Sequence, residues 1–114
     1  MKKKVLAHDS IVGHRIVSRE GIYLGRIERL MLDVTEGRIS FALVRFAGPL
    51  GLGDELVPLP WEALAPKKFR RQFVLEIDRE LIKSAPRFDS AQADVSREKA
   101  VEVREHFGLE RVAV

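Results

Sequence analysis

The chain has 114 residues, 46% hydrophobic and 32% charged, which fits one ordinary globular domain and is short for two. A formal charge of +3 and a sequence pI of about 9.5 are mildly basic. Three of the positive charges sit at Lys2, Lys3 and Lys4, so the remainder is close to neutral and overall charge gives little support for nucleic-acid binding. The absence of cysteine excludes disulfides, zinc–thiolate sites and thiol catalysis. No apolar run approaches the ~18 residues of a membrane-spanning helix, which argues against membrane insertion. The lysines are not followed by the apolar segment of a signal peptide, so the cytoplasm is the expected location.

In chain order, residues 1–8 read as a flexible basic arm. Ile11, Val12, Ile16 and Val17 suggest a first strand broken at Gly13, and Ser18-Arg19-Glu20-Gly21 fits a type I turn. A second strand carries Tyr23 and Leu24, and Gly25 inside it signals a bend or a close backbone approach. Glu28-Arg29 interrupts the alternation before Leu30-Met31-Leu32, as a bulge would. In Asp33-Val34-Thr35-Glu36-Gly37, the Asp33 side chain can accept a hydrogen bond from the N–H two residues on, and Gly37 can take a positive φ. Arg38 to Phe46 is rich in β-formers and apolar on both faces in its middle, which suits the centre of a small closed sheet.

The segment Val57-Pro58-Leu59-Pro60-Trp61 permits a sharper deduction. Alternate residues of a strand aim their N–H groups to the same side, so Pro58 and Pro60 remove two donors from one flank. This strand therefore belongs at a sheet edge or barrel opening. Val57, Leu59 and Trp61 should share the inward face, where losing the Trp61 ring costs ~3–5 kcal/mol. Glu62 to Pro66 is a connector with room for one helical turn. Phe73, Leu75 and Ile77 give the last strand, and Asp78 caps a short helix, Arg79 to Ser84, stopped by Pro86. Residues 90–94 read as a linker. A final helix opens at Asp94 or Ser96 and runs through Phe107 to a Gly108 terminator. Its apolar stripe (Ala100, Val103, Phe107) is narrow and needs a surface to pack on, in its own barrel or in a second subunit.

Gly13 with the Glu20-Gly21 turn, Leu24-Gly25-Arg26-Ile27, Leu32-Asp33, Gly37-Arg38-Ile39 and Val57-Pro58-Leu59-Pro60-Trp61 together resemble the PRC-barrel domain. That family includes the cytoplasmic domain of the photosynthetic reaction-centre H subunit, the C-terminal domain of a ribosome-maturation factor, and small stand-alone bacterial and archaeal proteins. The resemblance covers residues 9–89, including Ala85-Pro86-Arg87-Phe88, and leaves 90–114 as linker and C-terminal helix. It implies a mainly β fold: a small barrel of about six mostly antiparallel strands with short helices. The chain is most similar to the stand-alone members, which are often dimeric.

Enzymatic readings find little support. His8, His14 and His106 lie far apart, and no pair has ligand spacing with a carboxylate cluster, so no catalytic residue, metal or cofactor is assigned. Glu20, Asp54 and Glu55 read as solvated loop charge. The loop Gly48 to Gly53 lacks the lysine and helix start of a phosphate cradle, but its Leu50 and Leu52 are apolar residues in a loop. With the under-paired edge at Pro58 and Pro60, they are the candidate partner surface. Lys67-Lys68-Phe69-Arg70-Arg71 sets four cations around one aromatic, an arrangement that can grip an RNA backbone and stack a base. The bland alternative is a solvated hairpin tip with Phe69 packed back on the barrel. Gly25, Asp33, Gly37 and Trp61 are assigned to construction. The expected function is a non-enzymatic interaction module, homodimeric, that docks an unidentified protein. The alternative is an RNA- or ribosome-associated accessory factor. A third reading, proton or electron transfer, rests only on analogy with the reaction-centre domain.

Overall fold

The computed structural model describes residues 7–47, 55–66, 72–75, 77–89 and 95–108. Within them, six strands form one mixed sheet: β1 (Arg15–Val17), β2 (Tyr23–Asp33), β3 (Arg38–Phe46), β4 (Val57–Pro60), β5 (Leu64–Pro66) and β6 (Gln72–Leu75). Two helices follow, α1 (Arg79–Ser84) and α2 (Arg97–His106). The strand order is β4-β3-β2-β1-β6-β5, antiparallel throughout except for the parallel pair β1–β6. The two end strands of this order, β4 and β5, are joined by a single 3₁₀ turn, Trp61–Ala63. A sheet whose opposite ends are joined by three residues has to curl on itself, and the result is a half-barrel.

The strand β2 is long because a bulge keeps its pattern in phase. Ile27 lies opposite Val44 and Arg29 opposite Leu43, so Glu28 is the extra residue. That insertion turns both Ile27 and Leu30 toward the interior cluster, which an uninterrupted alternation would forbid. Glu28 instead pairs with Arg45 on the outside, at 2.9 Å. At Gly25 a Cβ would overlap the Arg45 carbonyl oxygen and sit 2.9 Å from Phe46 Cα, so only glycine fits the approach of β3. The β2–β3 turn forms as its residues dictate. Asp33 Oδ1 accepts from the N–H groups of Thr35 and Glu36, both at 3.0 Å, and Gly37 takes φ +69°.

The interior is filled by Ile16, Ile27, Ala42, Val44, Val57 and Leu59, with Phe73 and Leu75 from β6. Helix α1 adds Ile82 to this cluster. Asp78 caps its start by accepting from the Glu80 N–H at 3.0 Å. Arg87 closes its end: the guanidinium donates to the carbonyls of Lys83 and Ala85, both at 2.7 Å, and of Ile82 at 3.3 Å.

Several expectations need correction. Ile11 and Val12 are not in the first strand. The chain forms a 3₁₀ turn at His8–Ser10 and a further turn through Gly13 (φ +92°), so that β1 begins at Arg15. Trp61 is not a strand residue sharing the inward face on equal terms with Val57 and Leu59. It opens the 3₁₀ turn and is half-buried, packing against the rim of the interior cluster and against Phe73 at 5.5 Å. The helical turn expected within Glu62–Pro66 begins at Trp61, Leu64–Pro66 is a strand, and the last strand ends at Leu75, so Ile77 packs on the interior cluster from outside that strand.

Candidate functional site

The middle of β3, Phe41 to Val44, is buried on both faces, as its composition predicts. The second face is covered by a separate layer. Phe41 and Leu43 point away from the interior, opposite Pro60 and Pro58 on β4, and form a second cluster with Leu56, Phe88 and Val103. Phe88 meets Phe41 edge-on at 5.7 Å. Val103 is the fully buried residue of α2, which therefore packs in cis across this outer face. Ser96 caps α2 by accepting from the Lys99 N–H at 3.1 Å, and Gly108 (φ +75°) ends it.

An ion-pair network fixes the far end of α2. Arg104 donates from both terminal nitrogens to Glu62, Nη1 to Oε1 at 3.1 Å and Nη2 to Oε2 at 3.0 Å. Arg38 reaches the same carboxylate at 3.3 Å. Burial by itself would raise the Glu62 carboxyl pKa, but the Arg104 hydrogen bond, one from its own backbone, and the charges of Arg104 and Arg38 hold it below 4.5. His106 Nε2 lies 2.8 Å from the Leu81 carbonyl and 3.3 Å from Ser84 Oγ, so α2 is also tied to α1. A carbonyl only accepts, so this ring nitrogen carries the proton.

Among the described residues, an exposed apolar surface lies beside α2. β4 flanks β3 only from Phe41 onward, and β1 flanks β2 only as far as Arg26. Beyond these pairings β2 and β3 pair only with each other, and past Leu30 and Met31, which pack on the two clusters, their end projects as a two-stranded arm. At its end Leu32 is 59% and Val34 is 86% exposed. Between this arm and α2 runs a groove of about 580 Å³, with Met31, Phe41, Val95, Ala100 and Val101 in its walls and Glu36, Arg38 and Arg97 also lining it.

The residues singled out from sequence fall into three groups. Leu50 and Leu52, and the whole run Lys67, Lys68, Phe69, Arg70 and Arg71, lie outside the described residues. Gly25, Asp33 and Gly37 act in construction, as their chemistry implies. Pro58 and Pro60 do lie on an end strand, yet both are buried. Leu56, whose N–H points to the same flank, exchanges two backbone hydrogen bonds with Phe88, at 2.9 and 2.8 Å. That flank of residues 56–60 therefore keeps no free N–H donor. Val34 carries the same signal as Leu50 and Leu52, an apolar residue set in a turn or loop of the sequence.

Among the described residues, no group of three or more His, Asp or Glu side chains could hold a metal ion. No described helix is long and apolar enough to cross a membrane. Residues 3–82 match the PRC-barrel domain. The chain belongs to the PRC-barrel domain family. The match ends within α1, so this PRC-barrel carries α2 beyond the matched region. None of the curated proteins compared with the chain matches it.

Proposed function

We propose that this PRC-barrel is a non-enzymatic interaction module that works in the cytoplasm, pairs with a second copy of itself and docks a protein partner. The observation that carries this reading is the free end of the β2–β3 arm. Val34 and Leu32 present apolar side chains to solvent at the edge of a groove whose lining is half apolar and half polar. Contiguous exposed apolar surface next to a concave one is characteristic of contact sites. A two-fold contact buries both projections at once, each arm meeting the other copy's groove.

Sedimentation velocity over a range of concentrations tests the pairing. The wild type is expected to sediment as a dimer, and Val34→Asp as a monomer with unchanged circular dichroism. A wild type that stays monomeric at every concentration, or a Val34→Asp protein that stays dimeric, removes the arm as the contact.

The five residues between β5 and β6 support a second reading, in which Lys67, Lys68, Arg70 and Arg71 contact RNA or the ribosome. Affinity that falls steeply with salt and disappears when the four charges are neutralised supports it. Salt-independent binding rejects it.

A further inference from the structure

The family match ends at residue 82, and the residues that cover the outer face of β3 and β4 lie beyond it. Phe41, Leu43 and Leu56 belong to the matched region; Phe88 and Val103, which bury them, do not. On α2 the contact is narrow. Val103 is fully buried, Ala100 and Phe107 are partly buried against the cluster, and Arg97, Glu98, Glu102 and Glu105 are exposed. A ten-residue helix with so little apolar surface has scant stability alone and owes its shape to the surface beneath it. The bidentate Arg104–Glu62 pair adds specificity, because a planar guanidinium matches a carboxylate in one orientation. Lys99 lies 5.9 Å over the Phe88 ring at the other end. These are the properties of a ligand in a site.

We infer that the outer face of β3 and β4 is a docking site for an amphipathic helix, and that α2 is its tethered occupant. The partner that displaces α2 presents the same face: a small residue, an apolar residue three positions on, an arginine immediately after it, and an aromatic four beyond the apolar residue. In α2 these are Ala100, Val103, Arg104 and Phe107. Glu62, already charged and flanked by Arg38, reads the arginine. Tethering holds α2 at an effective concentration of roughly millimolar, so an incoming helix succeeds by binding more tightly or by reaching a site that α2 has left. This inference rests on the interaction-module reading and names the partner chemistry of the face beneath α2, whose outer side forms one wall of the groove beside the Val34 arm.

The test uses full-length protein and a fluorescent peptide with the sequence of residues 95–108, followed by anisotropy. In the Arg104→Glu chain, the introduced carboxylate faces that of Glu62 and α2 leaves the site. That chain is expected to bind the peptide at least about tenfold more tightly than the wild type, whose site is occupied most of the time. Glu62→Arg should refuse this peptide and accept one carrying Arg104→Glu. Should Arg104→Glu disturb the barrel itself, Val103→Ala weakens α2 without adding charge, and the same ordering is expected.

A folded variant that binds no peptide at millimolar concentration overturns the inference, as does binding indifferent to Glu62→Arg. A wild-type dimer that is lost in Arg104→Glu, and kept in Val34→Asp, assigns the site to exchange of α2 between copies and overturns the partner helix. Failure of the peptide with an intact Val34-dependent dimer leaves the proposed function standing.

Discussion

Arg104, with a side chain only 11% exposed, places both terminal nitrogens on the Glu62 carboxylate, and so ties the C-terminal helix to the turn that joins the two end strands of the sheet. The pair therefore links the helix that covers the outer face to the turn that curls the barrel.

Because the folded-state pKa of Glu62 lies below its ordinary 4.5, the ionised carboxylate stabilises the fold. Its contribution is fully present above 4.5 and is lost as pH falls through the depressed folded value. Glu62→Gln should lower stability at pH 7 by on the order of 1 kcal/mol or less, since this carboxylate is partly solvated. Thermal melts of both proteins from pH 7 down to pH 3 check this. The gap between them is expected to close on the acid side, and a gap that widened there would contradict the assignment.

Gly25→Ala should be far more damaging than an average strand substitution. The new methyl group overlaps the Arg45 carbonyl oxygen, and backbone cannot rotate away as a side chain would. A loss of ~2–4 kcal/mol is expected from urea unfolding. Gly37→Ala meets no atoms and carries only the strain of its positive φ, about 1–2 kcal/mol.

Phe88→Ala should destabilise more than Trp61→Ala, although it removes the smaller ring. Phe88 is 2% exposed and packed on Phe41, so about 3–5 kcal/mol is expected. Trp61 is half-buried on the rim, which brings its cost down to about 1.5–3 kcal/mol. Chemical denaturation of the two variants under identical conditions gives the order directly.

Val103→Ala should loosen α2 and leave the barrel interior intact. Removing two methyl-sized groups from a fully buried position costs about 1.5–2 kcal/mol. Hydrogen exchange should then quicken at residues 100–106 while the amides of Ala42 and Val44 keep their protection. Equal loss of protection in both places would mean that helix and barrel unfold as one unit.

The sequence made much of the fold legible because local chemistry decided it. Asp33 and Gly37 form the turn they imply, the Glu28 interruption is a bulge, Asp78 and Ser96 cap their helices, and the proline pair sits on an end strand. What stayed hidden depends on distant parts of the chain. Trp61 looked like strand because Val57 to Pro60 is strand, yet the turn toward β5 begins at that residue. The proline edge looked open because nothing near it in sequence announces Phe88, which arrives from the far side of α1 to pair with Leu56. The double-sided burial of β3 was readable, but not its cause. A closed sheet and a helix laid across the back leave the same apolar run.

The parallel pair β1–β6 carries a further consequence, for the order in which the chain assembles. Every other pairing in the sheet joins strands that follow one another in sequence, whereas Arg15 lies opposite Gln72, roughly 57 residues on. Closing a loop of that length costs about 3–4 kcal/mol in chain entropy before any contact repays it. The β2–β3–β4 meander should accordingly form first, and β6 with β5 should join late, when β1 already lies along β2. During synthesis the meander is complete while β1 still waits with one side unpaired. Pulse-labelled exchange should therefore protect Leu43 and Val44 before Phe73 and Val74.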